Sequence, residues 1–310
     1  MKYSEDEKFM RRCLQLARNG RQNAKPNPMV GAVIVSSDGR IIGEGYHVRC
    51  GDGHAEVNAF ASVSQADEAC LSEATLYVSL EPCSHYGKTP PCADLIIRKG
   101  VRRVVVGCID DFSEVQGRGI RRLQEAGIEV TVGVLEEACK ALNRRFLTFH
   151  REARPYIILK WAQTADGFID NQGRQLAISS PFTSMLAHKL RAEEDAILVG
   201  RVTDEREHPQ LNVRHWRGSS PKRLVVDRNH PLNLESLHAH GVQSLIVEGG
   251  AKTLQSFLAQ GVWDEIRVET NTRLTVCGGT RAPQIPSNTC VCQQKLYGEN
   301  LIVVYKRTTE

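Results

Sequence analysis

The sequence feature that most restricts the fold of this 310-residue chain is a set of three candidate metal ligands far apart along the chain. They are His54, Cys83 and Cys92, where Cys83 directly follows Pro82 and Cys92 comes nine positions later. Two thiolates and one imidazole can hold a zinc ion tetrahedrally and leave its fourth position open for water. Any fold of this chain therefore has to bring these three side chains to one point.

A glutamate beside these candidate ligands predicts hydrolytic chemistry. Glu56 lies two positions after His54, and it can move protons without being a ligand. Zinc-bound water ionises near pH 7, which makes hydroxide available for attack on a ring carbon. An H-x-E segment followed by P-C-x-x-C is typical of zinc-dependent nucleobase deaminases, but the second cysteine is more distant here. The open alternative is a structural zinc whose shell is closed by a fourth ligand such as His85.

The order of apolar segments predicts an α/β fold for residues 1–150. Short apolar runs that read as strands alternate with segments of helical periodicity, and this order favours a three-layer α/β/α sheet domain. In that arrangement His54 and Cys92 open helices and Cys83 ends a strand, so all three lie near the carboxyl edge of the sheet. We expect strands at 30–35, 41–45, 74–80, 101–106 and 128–132, and helices after the Ser4 capping box and at 54–63, 92–99, 119–126 and 136–151.

A second α/β domain is predicted for residues 151–310. Its apolar runs are again separated by helical segments and turn residues. We expect strands at 156–160, 195–200, 223–227, 244–248, 265–268 and 301–305, with helices at 181–194 and 251–260.

Composition limits the partners and the compartment. With 41% hydrophobic and 25% charged residues, the chain is typical of a globular protein, and its net charge of +4 fits a small phosphorylated substrate at least as well as a nucleic acid. We expect a small-molecule substrate and no nucleic acid or membrane partner. The charged N-terminus has no secretion signal and no apolar run is long enough to cross a bilayer, so we expect a cytoplasmic protein. Ten cysteines at irregular spacing predict reduced thiols, most of them buried.

Four motifs give this sequence a close resemblance to a known family. They are Asn27-Pro28-x-Val30-Gly31, His54-Ala55-Glu56, the run from Glu81-Pro82-Cys83 to Pro90-Pro91-Cys92, and Gly117-Arg118-Gly119. The sequence resembles the bifunctional deaminase/reductase family of bacterial riboflavin biosynthesis, in which a long loop separates the two cysteines. The resemblance implies an N-terminal cytidine-deaminase-like domain and a C-terminal dihydrofolate-reductase-like domain.

For the first domain, the resemblance implies the zinc-dependent removal of a ring amino group. The substrate of the family is 2,5-diamino-6-ribosylamino-4(3H)-pyrimidinone 5′-phosphate. By resemblance, Glu56 is catalytic and Asn27 hydrogen-bonds the pyrimidine. His47 and Lys88 contact the substrate, with Lys88 as a phosphate partner. A structural hydrogen bond of His47, or a solvated loop position of Lys88, is the alternative.

For the second domain, the resemblance implies an NADPH-dependent reduction of the ribosyl group to a ribityl chain. Strand-to-glycine turns such as Val247-Glu248-Gly249-Gly250 favour phosphate at the following helix. By position, the residues that bind the reductase substrate are Lys160, Gln175, Arg191, Leu211, Arg214 and Glu248. Those that bind NADPH are Ala162, Ala177, Thr203, Glu207, Gly249 and Gly250. Which of Arg201, Arg206 and Arg228 binds the 2′-phosphate stays open.

The second domain departs from the family at several points. Glu207-His208 replaces an acidic-Asn or acidic-acidic pair, Ala177 replaces a tryptophan, and Arg273–Gly279 replaces the family's usual loop. A segment of several tens of residues, with a strand and a helix, is missing between Asp227 and Gly241. Losing an element from a parallel sheet exposes an edge. The second domain is therefore either a shortened but working reductase, or a domain that only supports the deaminase or an oligomer. We expect this chain to form a homo-oligomer.

Two other functions remain to be weighed. A deaminase of free nucleosides or RNA predicts the short P-C-x-x-C closure, whereas this chain has the long loop and only 6% aromatic residues. A zinc-stabilised binding module predicts a saturated zinc shell and a Glu56→Gln change without effect. The sequence favours a bifunctional enzyme over both.

Overall fold

The chain forms two compact units in a computed structural model, Met1–Glu152 and Ala153–Glu310. The structure describes residues 4–84, 90–110 and 117–308. No helix in these described ranges is both long and apolar enough to cross a membrane. Each unit has its own sheet and its own apolar core.

The first unit is built on a five-stranded mixed sheet. Its strand order is β2-β1-β3-β4-β5, with β1 antiparallel to β2 and β3, and with β3, β4 and β5 parallel. The parallel strands end at one edge, where α/β proteins usually bind ligands. The strands are β1 (Gly31–Val35), β2 (Ile41–Tyr46), β3 (Thr75–Val78), β4 (Arg103–Val106) and β5 (Glu129–Val132).

Helices cover both faces of this sheet. Successive strand residues point to opposite faces, so Val33 joins one cluster with Phe9 and Met10, and Ile34 joins another with Ile96. The three-layer α/β/α architecture predicted from the sequence is confirmed. The helices are α1 (Glu5–Ala17), capped by the Ser4 side chain, α2 (Ala55–Ala61), α3 (Cys92–Lys99), α4 (Arg118–Glu125), α5 (Glu136–Leu142) and α6 (Arg144–Glu152), with 3-10 turns at Arg18–Gly20 and Gln65–Glu73.

Two expectations about this unit were wrong in detail. The single helix expected at 136–151 is two helices, because Asn143 leaves the helical conformation between α5 and α6. Its side chain instead accepts a hydrogen bond from the backbone N–H of Met29 and donates one to the Met29 carbonyl. The cysteines are all free, as expected, but only four of the ten are buried: Cys13, Cys92, Cys108 and Cys139.

The second unit is built on a seven-stranded sheet in the order β11-β12-β10-β6-β9-β7-β8. Five neighbouring strands, β10 to β8 in this order, are parallel, and β12 and β11 are added antiparallel. The strands are β6 (Tyr156–Gln163), β7 (Ala196–Gly200), β8 (Lys222–Val226), β9 (Ser244–Val247), β10 (Glu265–Asn271), β11 (Thr289–Tyr297) and β12 (Asn300–Arg307).

Helices lie on both faces of this second sheet as well. They are α7 (Pro181–Glu193), α8 (Arg201–Glu207), α9 (Leu234–Ala239) and α10 (Ala251–Gln260). One apolar cluster includes Leu159, Leu198 and Leu254, and the other includes Ile158, Leu190 and Ile197. The α/β class of the second domain is therefore confirmed.

Sequence patterns missed three elements of this unit, namely α8, α9 and β11. The β11 strand pairs only with β12, and most of its side chains are exposed, so it has no buried face to impose an apolar alternation. Strand β8 closes the opposite edge of the sheet, and Val225 on it is 39% exposed. A tight turn at 227–230 follows this strand, at the position where the sequence lacks a segment.

Candidate functional site

The three predicted zinc ligands of the first unit converge. His54 is the residue before α2, Cys83 follows β3, and Cys92 is the first residue of α3. The ligand atoms all lie within 4.8 Å of one another, and the His54 Nδ1 is 3.5 Å from the Cys83 Sγ and 3.3 Å from the Cys92 Sγ. Zinc bonds of about 2.0–2.3 Å to one imidazole and two thiolates suit such a cluster. The donor set and its geometry therefore fit a zinc ion.

The cluster is prepared to bind a cation. Hydrogen bonds from Cys92 and His54 lower the pKa of Cys83 to about 4, although burial acts in the opposite direction. The thiolate in turn raises the pKa of His54. A thiolate is the form of cysteine that ligates metals.

Glu56 lies on the first turn of α2, beside the ligands but outside the ligand group. Its side chain is buried, and burial raises its pKa to about 7, with a further contribution from Cys83. A carboxyl group with a pKa near neutrality can both accept and return a proton at physiological pH. This environment suits the proton carrier that the sequence predicted.

A buried carboxylate, Glu81, supports this site, and the sequence analysis named it only as part of a motif. Glu81 accepts hydrogen bonds from the backbone N–H groups of Gly117 and Gly119, each at 3.0 Å, at the N-terminus of α4. A Cβ atom at Gly119 would lie 2.0 Å from the Pro82 carbonyl oxygen, so only glycine fits there. Glu81 and Gly119 thus hold the Pro82-Cys83 segment in place.

Asn27 and His47 form a connected pair near the ligands. The Asn27 Nδ2 is 3.1 Å from the His47 Nε2, and the His47 Nδ1 is 3.2 Å from the Gly53 carbonyl oxygen. Because a carbonyl oxygen can only accept, Nδ1 carries the hydrogen and Nε2 accepts from Asn27. Burial lowers the pKa of His47, which favours this neutral form, and its ring lies edge-on to His54 at 5.4 Å.

The hydrogen bonds of His47 bear on its predicted contact with the substrate. Both of its ring nitrogens are hydrogen-bonded within the protein, to the Asn27 amide and to the Gly53 carbonyl oxygen. Lys88, the predicted phosphate partner, and His85, the alternative fourth zinc ligand, lie outside the described residues.

In the second unit, a cavity of about 310 Å³ brings together most of the residues predicted for the reductase. Its walls come from β6, α8 and the turn after β9, with a segment between β6 and α7. The predicted residues that line it are Lys160, Ala162, Gln175, Ala177, Thr203, Glu207, Glu248, Gly249 and Gly250.

A compensated charge cluster lies at one side of this cavity. The Glu248 carboxylate is 2.7 Å from Arg191 and 3.7 Å from the Lys160 Nζ, and all three side chains are at most 13% exposed. Burial alone would raise the pKa of Glu248, but Lys160 and Arg191 hold it below its ordinary value. Glu248 is therefore a carboxylate that orients two buried cations.

Three predicted substrate residues do not line the cavity: Arg191, which belongs to this cluster, and Leu211 and Arg214. Arg191 reaches the Asn212 carbonyl oxygen at 3.5 Å, and Arg214 donates to the Asn212 side chain at 2.6 Å. Leu211 is buried with a positive φ of 51°, which shapes the loop that carries Arg214. The two arginines are thus linked through Asn212.

A larger cavity of about 900 Å³ adjoins the first, and the residues that line both are Ile169, Asp170, Thr203, Arg206 and Gly250. It lies at the carboxyl ends of β7, β8 and β9 and at the N-terminus of α10. Backbone N–H groups at that helix end favour a phosphate group.

Sequence reasoning missed Asp170, which lines both cavities and is buried. It accepts hydrogen bonds from Thr280 and from the Gly173 N–H. The Asp-x-x-Gly spacing was the available signal for such a turn.

Comparison with known proteins agrees with this two-unit structure. Residues 3–108 match the model of the cytidine and deoxycytidylate deaminase zinc-binding region. The RibD C-terminal domain model matches residues 155–235 and 230–286, in two stretches that overlap at residues 230–235, a few residues after β8. That interruption agrees with the segment missing from this chain.

Relatives and solved structures extend the match along the whole chain. Riboflavin biosynthesis protein RibD of Aquifex aeolicus is 37% identical over 355 aligned positions, which cover 97% of this chain and 98% of the relative. RibD of Bacillus amyloliquefaciens is 35% identical, over 91% of this chain and 88% of the relative. A Thermotoga maritima structure, titled as a diaminohydroxyphosphoribosylaminopyrimidine deaminase/5-amino-6-(5-phosphoribosylamino)uracil reductase, has a TM-score of 0.88 at 31% identity, over 98% of this chain and 99% of that one.

The alignment with the Aquifex relative is longer than this chain, so the relative has residues for which this chain has no counterpart. The shared zinc cluster, the shared second domain and the near-complete coverage lead to one conclusion: this chain belongs to the RibD family of riboflavin biosynthesis proteins.

Proposed function

We propose that this chain catalyses two successive steps on one phosphorylated pyrimidine. The first unit removes the ring amino group of 2,5-diamino-6-ribosylamino-4(3H)-pyrimidinone 5′-phosphate, and the second reduces the ribosyl group of the product to a ribityl chain. The observation that carries the proposal is the cluster of His54, Cys83 and Cys92 beside the buried Glu56. It is supported by the name of the Thermotoga relative.

In the first unit, His54, Cys83 and Cys92 hold the zinc ion. Zinc, when bound, supplies the Lewis acidity that lowers the pKa of water towards neutrality. Glu56 accepts one proton from the attacking water and gives it to the ring nitrogen. It then accepts the remaining proton of the added hydroxyl group and gives it to the departing amino group, which leaves as ammonia. Its raised pKa of about 7 suits both transfers, because neither protonation state is strongly favoured at neutral pH.

Asn27 and His47 position the pyrimidine ring. With its Nδ2 group bound to His47, the Asn27 amide is fixed in one orientation and presents its oxygen to a ring N–H. We assign His47 as a positioning residue, since both its nitrogens are engaged. Lys88 remains our candidate for the phosphate.

In the second unit, the smaller cavity takes the ribosyl group and the nicotinamide end of the cofactor. NADPH, when bound, supplies the reducing equivalents. Lys160 lies on the cavity wall and can give a proton to the sugar ring oxygen as the ring opens. Glu248 pairs with Lys160 and orients it, and Arg191 with Arg214 binds the phosphate end.

The retained cavity supports a working reductase despite the missing segment. Gln175, Ala177, Thr203 and Glu207 line it together with the two glycines after Glu248, so the predicted cofactor and substrate positions still surround one space. The exposed edge strand β8 favours the second candidate, a deaminase whose shortened partner domain has only a structural role.

The substrate is a small molecule, and we propose that neither nucleic acid nor a membrane takes part. We also propose a cytoplasmic homo-oligomer. Ten free cysteines support a reducing compartment, and Val291 and Leu296, exposed on edge strand β11, support self-association. Light scattering on the eluting protein measures the oligomeric state.

The test is to mix the purified protein with the diaminopyrimidinone ribosyl phosphate and NADPH, and to follow ammonia release and nicotinamide absorbance together. We expect both signals in equal amounts. Ammonia without NADPH oxidation would support the deaminase with a structural second domain. The absence of both signals would overturn the proposal.

A further inference from the structure

The larger cavity of the second unit is lined by several cations, which differ in whether a carboxylate neutralises them. The cavity lies at the carboxyl ends of β7, β8 and β9 and has a volume of about 900 Å³. Its cationic lining residues are Arg201, Arg206, Arg228 and Lys252. Which of them is free to bind an anionic ligand decides what this cavity recognises.

Two of the arginines are already paired. Arg201 donates to both carboxylate oxygens of Glu205, at 2.8 and 2.9 Å. Arg206 is bound to Glu207 and lies 3.5 Å from Asp170. An anionic ligand would have to compete with these carboxylates, which lowers what either arginine can contribute to its binding.

Arg228 differs from both, because none of the carboxylates that the structure describes pairs with it. It lies directly after Asp227, whose Oδ1 accepts hydrogen bonds from the backbone N–H groups of Asn229 and His230, at 2.8 and 2.7 Å. The same oxygen is 3.1 Å from the His230 ring, and the other carboxylate oxygen lies 4.0 Å from Arg201. Asp227 thus shapes the turn that places Arg228 and Asn229 on the cavity wall.

The chemistry of this turn discriminates between the two nicotinamide cofactors. A carboxylate at the end of a strand recognises the free 2′-hydroxyl of NADH, whereas an arginine accommodates the 2′-phosphate of NADPH. Here one carboxylate oxygen of Asp227 accepts from the turn and the other lies 4.0 Å from Arg201, whereas the adjoining Arg228 is exposed and has no carboxylate partner among the described residues. The guanidinium fork suits a phosphate, because it offers parallel hydrogen bonds as well as charge.

We propose that Arg228 binds the 2′-phosphate of NADPH and sets the preference for NADPH over NADH. This inference rests on the proposed reductase function and assigns the residue that the sequence left open among three arginines. Lys252, on the first turn of α10, is then left for the pyrophosphate.

The experiment measures binding by calorimetry on the full-length protein, without turnover. The ligands are NADPH, NADH, adenosine 2′,5′-bisphosphate and adenosine 5′-monophosphate. The variants are Arg228→Gln, Arg228→Lys and, as the matched control from the same cavity, Arg201→Gln. Arg228 is exposed, so its replacement is not expected to affect folding. Fluorescence of the three tryptophans, all of which lie in the second unit, checks that each variant is folded.

We expect Arg228→Gln to weaken NADPH and the 2′,5′-bisphosphate by about 10-fold to 100-fold, and NADH by less than about 2-fold. Arg228→Lys is expected to keep part of the preference, and Arg201→Gln to change both cofactors by the same factor. An unchanged NADPH/NADH ratio in Arg228→Gln, or equal affinities in the unchanged protein, would overturn the inference. Failure of the unchanged protein to bind either cofactor would overturn the reductase proposal and the inference with it.

Discussion

The zinc site of the first unit and the reductase cleft of the second are built in different ways. Three ligand atoms and one proton carrier make up the first, gathered within a few ångströms. The second spreads over two adjoining cavities whose walls come from strands, helices and turns, with a charge cluster at one side. A metal site therefore depends on few side chains, whereas a cofactor cleft depends on the shape of a whole sheet edge.

This difference explains which part of the chain can lose residues. The charge cluster of the cleft sits on β6, α7 and the end of β9, near the centre of the second sheet. The missing segment follows β8, at the edge of the same sheet. Loss at an edge leaves the central strands paired, so the cavity residues keep their places.

Replacing Glu56 should have the largest effect and should be confined to the first site. Glu56→Gln removes the proton carrier and leaves the three ligands, so we expect zinc content to stay the same and ammonia release to fall by about 10²-fold to 10⁴-fold. Elemental analysis and an ammonia assay measure the two quantities.

Glu73→Gln is the matched control, because Glu73 is an exposed carboxylate of the same unit that pairs with Arg102. It is expected to leave ammonia release unchanged. Undiminished turnover in Glu56→Gln would contradict the mechanism and favour a zinc-stabilised binding module.

Replacing Glu248 should lower the stability of the second unit. Glu248→Gln leaves Lys160 and Arg191 buried without their counter-charge, and removing one member of a buried ion pair costs about 3 kcal/mol. All three tryptophans, at positions 161, 216 and 263, lie in this unit, so denaturant unfolding followed by tryptophan fluorescence reports on it alone.

The comparison variant is Glu205→Gln, which breaks the exposed pair with Arg201 and should cost less than about 1 kcal/mol. Equal losses in the two variants would show that the buried cluster has no special part in holding the cleft together.

The stability difference between the unchanged protein and Glu248→Gln should depend on pH in one direction. The pKa of Glu248 lies below its ordinary value of 4.5, so its contribution to stability is complete above that pH and is lost as the pH falls through the folded-state pKa. We expect the stability gap between the unchanged protein and Glu248→Gln to be constant near pH 7 and to shrink below pH 4.5. A gap that widened on acidification would contradict this assignment.

Replacing His47 should have the smallest effect. This variant tests whether His47 positions Asn27 or takes part in the chemical step. His47→Leu frees the Asn27 amide, so we expect the KM of deamination to rise by about 10-fold while zinc content is unchanged. A fall in kcat with an unchanged KM would instead indicate that His47 acts in the chemical step.

The zinc site could be predicted from sequence almost residue by residue, because only a few side chains can ligate zinc and Glu56 stands in fixed spacing to one of them. The support from Glu81 could not, because its partners are backbone N–H groups at the start of α4, brought close only by the fold. The two sheets followed from buried apolar runs, whereas β11 did not, since an exposed edge strand has no such run. Most of the residues predicted from resemblance line the smaller cavity, but Asp170, which lines it as well and accepts hydrogen bonds in a turn, was not predicted.

The most direct test of the account is whether the second unit works when the first is disabled. The Glu56→Gln protein is supplied with 5-amino-6-(5-phosphoribosylamino)uracil and NADPH, and the loss of nicotinamide absorbance is followed. If the shortened domain is a working reductase, the variant oxidises NADPH at the rate of the unchanged protein. No oxidation by either protein would contradict the account and leave the second unit as a structural partner of the deaminase.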